Sequence, residues 1–90
     1  MRSPDKVCKM HASEDIKITC KVRRDFVLIE GNKKALEFFG NLILAQARFK
    51  KDCGFEISPS GAGKVFFARG AKKGFYIHCL PCKKGKRCQV

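Results

Sequence analysis

Apolar and polar residues alternate strictly through Ile16-Lys17-Ile18-Thr19-Cys20-Lys21-Val22-Arg23. A period of two puts successive side chains on opposite faces of a strand. Ile16, Ile18, Cys20 and Val22 are therefore predicted to face a core, and Lys17, Thr19, Lys21 and Arg23 to face outward. Arg24-Asp25 offers a short turn into Phe26-Val27-Leu28-Ile29. That run is apolar on both sides, which predicts a central strand covered on both faces and paired with the first as an antiparallel hairpin.

Gly31-Asn32 ends the second strand, and the Asn32 side chain is suited to accept from the free amides of a helix's first turn. The period then becomes helical and runs to about Lys51. Leu36, Phe39, Ile43 and Ala47 form the predicted apolar row, flanked by Phe38, Leu42 and Phe49, while Lys33, Glu37, Asn41 and Arg48 form the polar face. Gly40 sits mid-helix, where glycine costs about 1 kcal/mol against alanine, and close approach to a sheet would account for it. Cys53–Ser58 reads as a third strand, Pro59–Gly63 as a loop, Val65–Ala68 as a short extended piece and Gly70–Gly74 as a second turn. Phe75–Leu80 is the last strand, stopped by Pro81.

The predicted fold class is α+β: a single ββαββ domain over 15–82, with one helix packed on a mainly antiparallel four-stranded sheet. An irregular arm precedes it at 1–14 and a basic tail follows at 83–90. One helix covers one face of such a sheet. The other face is left to water, the arm, a ligand or a second copy of the chain, so a homodimer through the open face or edge is one expectation. If Phe75, Ile77 and Cys79 face the helix, Tyr76 and His78 lie on the open face beside Lys17, Lys21 and Arg23.

Charge gives that face a candidate role. Twenty Lys and Arg against eight Asp and Glu leave a net charge of +12 on ninety residues. Such a field attracts polyanions, and the partners it suggests are nucleic acid or an acidic protein. Lys17, Lys21 and Arg23 would neutralise phosphates while Tyr76 and His78 stack on unpaired bases, and these five are the candidate binding residues. No apolar run is long enough to span a membrane. Met1–Lys6 has no apolar segment after its basic residue, so a cytoplasmic location is expected.

Six cysteines change the picture less. Without a secretory leader, reduced thiols are the expectation. Cys79 and Cys82 have the C-x-x-C spacing with which two thiolates grip zinc, and Cys8 and His11 would supply the other pair if the arm lay beside the last strand. The same C-x-x-C lacks the following helix that a redox pair uses to lower a thiol pKa. Gly61-Ala62-Gly63-Lys64 falls short of a phosphate loop, with Ser58 and Val65 at the two positions that fail. No nucleophile stands with a legible base and orienter, so a non-catalytic function is expected.

One segment carries a family likeness. Ile29-Glu30-Gly31-Asn32-Lys33-Lys34-Ala35-Leu36-Glu37-Phe38-Phe39, a strand followed by Gly-Asn and a helix with a Leu-bearing face, resembles immunity protein family 32, small bacterial proteins of polymorphic toxin systems. The likeness covers about residues 26–47, with an echo in Phe75–Pro81. It implies a non-enzymatic protein that binds and blocks a toxin, and it carries over no functional residue.

Overall fold

Ser3-Pro4-Asp5 starts a helix, not the irregular arm expected of residues 1–14. In the computed structural model, which describes residues 3–49 and 53–81, helix α1 spans Pro4–His11. The Ser3 side chain accepts from the Lys6 amide at 3.2 Å, and Pro4 sits at the first helical position, where its missing N–H costs nothing. Asp5 in the first turn, and Lys9 and His11 in the last, complement the helix dipole. Pro4 and Val7 are buried on one side, with Cys8 and His11 half-buried beside them, and this side packs on the long helix α2.

Strands β1 (Thr19–Val22) and β2 (Val27–Glu30) form the expected antiparallel hairpin. Its turn falls at Arg24-Asp25, where the Arg23 N–H donates to the Phe26 carbonyl at 2.7 Å. Ile16, Ile18 and Cys20 are buried as the alternation predicts, but Val22 is 71% exposed because the hairpin runs on past the core. The second strand is not central. At its start Phe26 and Val27 are each 62% exposed.

Helix α2 runs Lys33–Arg48, with the Asn32 side chain accepting from the Ala35 amide at 2.8 Å. Its buried face is one residue away from the predicted row: Ala35, Phe38, Leu42, Ala45 and Gln46 are buried, while Leu36, Ile43 and Ala47 are exposed. The cause is α1. With a second helix to cover, α2 turns Phe38 toward α1 and Phe39 toward the last strand. The Phe38 ring stacks on Phe66 with centroids 4.3 Å apart and meets the His11 ring edge-on at 5.2 Å. Phe39 meets Phe75 edge-on at 4.7 Å.

Strands β3 (Gly54–Ile57) and β4 (Phe75–His78) make a second antiparallel pair, separate from the first. The expected four-stranded sheet is therefore two two-stranded sheets, and the expected single helix is two helices, in a small α+β domain. Between β3 and β4 the chain forms the 3-10 turn Lys64–Phe66, not the extended piece predicted at Val65–Ala68. This segment bridges the sheets. Ile18 N–H donates to the Phe66 carbonyl, and the Ile18 carbonyl accepts from Ala68 N–H, both at 2.9 Å. A single antiparallel bridge from Cys20 to Lys73 continues the connection. The basic tail expected at 83–90 lies outside the described residues. No helix among the described residues is long and apolar enough to cross a membrane.

Two glycines separate conformational need from tolerance. Gly63 has φ +78°, and a Cβ there would lie 2.6 Å from Ile57 Cβ, so the turn into Lys64 requires glycine. A Cβ at Gly40 would meet nothing within 4 Å, so the close approach expected of that glycine is absent. Gly40→Ala should raise stability by about 0.5–1 kcal/mol by reducing the freedom of the unfolded chain. Gly63→Ala should lower it by about 1–2 kcal/mol or more. Urea denaturation of both variants checks the opposite signs.

Candidate nucleic-acid interface

The bridge from Ile18 to Phe66 and Ala68 holds the free edge of β1 against the segment that leads into β4. Beyond Cys20 the two backbones part. Between β1 and the turn at 69–73 they leave an open groove of about 520 Å³. Cys20 and Ala71 contribute to an apolar floor, with Thr19, Val22 and Gly70 around it. Five of the residues that line it are cationic: Lys21 and Arg23 from β1 and its turn, and Arg69, Lys72 and Lys73 from the opposite side. Among the described residues no carboxylate lines it. Among the described residues, none of the five makes a salt bridge.

All five cations are exposed, so their mutual repulsion is screened by solvent and by salt. An anion in the groove would be attracted from both walls at once. The apolar floor lowers the local dielectric on one side and strengthens that attraction relative to a flat surface.

The structure divides the candidate residues read from the sequence. Lys21 and Arg23 stand together in the groove. Lys17 stands apart from its lining, 3.8 Å from Asp15. Tyr76 and His78 are half-buried on β4, edge-on to one another at 6.0 Å, and neither lines the groove. The expected basic-aromatic face fails as a unit because β1 does not pair with β4. Its opposite wall comes from Arg69, Lys72 and Lys73, which sequence reading missed by treating the surrounding glycines only as a turn. Three cations within five residues, Arg69-Gly70-Ala71-Lys72-Lys73, were the available signal.

The zinc expectation fares differently. Cys8 and His11 lie three residues apart on α1, but His11 Nδ1 is already 3.1 and 3.2 Å from the two Glu14 carboxylate oxygens. Among the described residues, no three His, Cys, Asp or Glu side chains gather where they could hold a metal ion, so Cys8, His11 and Cys79 do not form the expected site. The fourth candidate, Cys82, lies outside the described residues. Cys53 is disulfide-bonded, which corrects the expectation that all thiols are reduced, whereas Cys8, Cys20 and Cys79 are free.

Burial pushes the Cys20 thiol above its ordinary value of 9.0. Burial, and then the nearby Asp5 carboxylate, do the same to Cys8. Both side chains are thiols at neutral pH and poor nucleophiles. A second groove, of about 410 Å³, lies between α1 and the β3 region, lined by Cys8, Phe55, Ile57, Val65 and Phe66 among others. Compared with known proteins, the chain matches no family model, no curated protein and no solved structure.

A thiol pKa raised by folding has a stability consequence of definite sign. The Cys20 contribution is fully present below the unfolded value near 9.0 and is lost as pH rises through the folded value. The fall in urea midpoint from neutral to strongly alkaline pH should therefore be smaller in Cys20→Ala than in the wild-type chain, with the two denaturation series compared in the same buffers.

Proposed function

We propose that the chain is a non-catalytic binding module that takes a polyanion, nucleic acid in the first instance, into the groove between β1 and residues 69–73. One observation carries the reading: five cationic residues line the two sides of one groove, and among the described residues none of them is ion-paired and no carboxylate joins them. A net charge of +12 supports it, because the long-range field steers the same class of partner toward the molecule. The groove distinguishes this from charge that serves solubility alone, since solubility needs no convergence of cations from separate parts of the chain.

The immunity-type alternative uses the same surface differently. An acidic protein face would meet the cations, and the exposed Val22, Phe26 and Val27 would supply the apolar centre that protein interfaces have. The cations of the groove favour a phosphate backbone over such a face because they outnumber the apolar side chains around them.

Fluorescence polarisation on a labelled oligonucleotide tests the reading. If the strand engages all five groove cations, log affinity should fall with log salt at a slope of about −3.5 for single strands. Arg69→Ala with Lys72→Ala should reduce the slope by about 1.4. Lys6→Ala with Lys9→Ala, which removes equal charge from α1, should leave it close to the wild-type value. Equal effects from the two pairs would reduce the binding to net charge and overturn the reading.

A further inference from the structure

We propose that the preferred ligand is single-stranded nucleic acid, and that Phe26 at the tip of the first hairpin stacks on an unpaired base while the groove holds the adjoining phosphates. The proposal rests on the polyanion reading above and specifies the ligand class of the same surface.

Its starting observation is an unexplained exposure. Phe26 is 62% exposed at the end of a hairpin, with Val22 and Val27 exposed beside it, although the domain has a core that could have taken aromatic rings. An aromatic side chain standing in water contributes little to folding. Its position ties it to the groove. Phe26 lies across the turn from Arg23, joined by the Arg23 N–H to Phe26 carbonyl bond at 2.7 Å, and Arg23 lines the groove. Val27 is the cross-strand partner of Val22, which also lines the groove. The hairpin tip thus adjoins the cationic groove through Arg23.

The chemistry of that surface favours a ligand whose charges and flat apolar faces alternate at short intervals. A single strand has this character: each phosphate is followed by a base with two open π faces. A duplex keeps its bases stacked on one another and offers Phe26 no face. Polyphosphate and heparin-like chains offer charge without an aromatic ring. A groove of about 520 Å³ is of the size of small-ligand clefts, which suits one strand's backbone. Arg23, opposite Phe26 across the turn and on the same face of the hairpin, would hold the phosphate that follows the stacked base.

The test uses the full chain and three probes: oligo(dT), a duplex of similar length and long-chain inorganic polyphosphate. Phe26→Ala should weaken oligo(dT) binding by about 5- to 150-fold, the range expected for loss of one base–aromatic stack. It should leave polyphosphate binding within about twofold, and Phe26→Tyr should restore oligo(dT) binding. Circular dichroism of the variants confirms that this exposed side chain is dispensable for folding. An unchanged oligo(dT) affinity in Phe26→Ala overturns the proposal, as does an equal loss on polyphosphate or tighter binding of the duplex. Preferential binding to anionic lipid vesicles, sensitive to the same substitution, would also overturn it by assigning the tip to a membrane surface. Polyphosphate and oligo(dT) both failing to bind would instead remove the underlying polyanion reading, so the two failures are distinguishable.

Discussion

The backbone of Ile18 is gripped on both sides of its peptide. Its N–H reaches the Phe66 carbonyl and its carbonyl receives the Ala68 N–H, so one residue ties the first hairpin to the chain before β4. The buried Ile18 side chain makes this join part of the core. Each bond is worth only about 1 kcal/mol in net stability, but the geometric consequence is larger. Together with the Cys20–Lys73 bridge, the join connects two two-stranded sheets that would be marginal by themselves. With it, β1 presents a fixed free edge to residues 69–73, and the groove has two walls.

The aromatic core serves the same end. Phe38 stacks on Phe66, the residue whose carbonyl accepts from Ile18, while Phe75 meets Phe39 on α2 and lies 6.0 Å from Phe67. The 3-10 turn is held from behind by α2 as β1 binds it at the front. Helix α1 closes the other side of α2, and its position decides which residues of α2 are buried.

Much of this order was legible in the sequence. The alternation from Ile16 to Cys20, the Arg24-Asp25 turn and the Asn32 cap all correspond to observed features, whereas Val22 is exposed against the pattern. The buried row of α2 was ambiguous because apolar residues lie on most of its circumference: Leu36, Ile43 and Leu44 are exposed, while Ala35, Phe38, Leu42 and Ala45 are covered. Periodicity alone does not choose between neighbouring rows when a second helix is overlooked. That helix carried its own start signal in Ser3-Pro4-Asp5, and its buried side uses Pro4 and half-buried His11, residues that hydropathy does not mark as apolar. The candidate site was half legible. Strand alternation exposed Lys21 and Arg23, but their partners come from a turn whose approach depends on the non-local Ile18 join, and no local pattern encodes that.

A small domain with few carboxylates has put five of its cationic residues along one groove and an exposed aromatic ring on the adjoining hairpin tip. A binding surface, unlike a by-product of high charge, would respond to ligand along that groove and tip. Backbone amide chemical-shift mapping during titration with a single-stranded oligonucleotide addresses it residue by residue. The expected result is a continuous band of perturbed amides over Lys21–Phe26 and Arg69–Lys73, with α1 unaffected. Shifts spread evenly over the lysines of α1 and α2, or concentrated away from both walls, would contradict it.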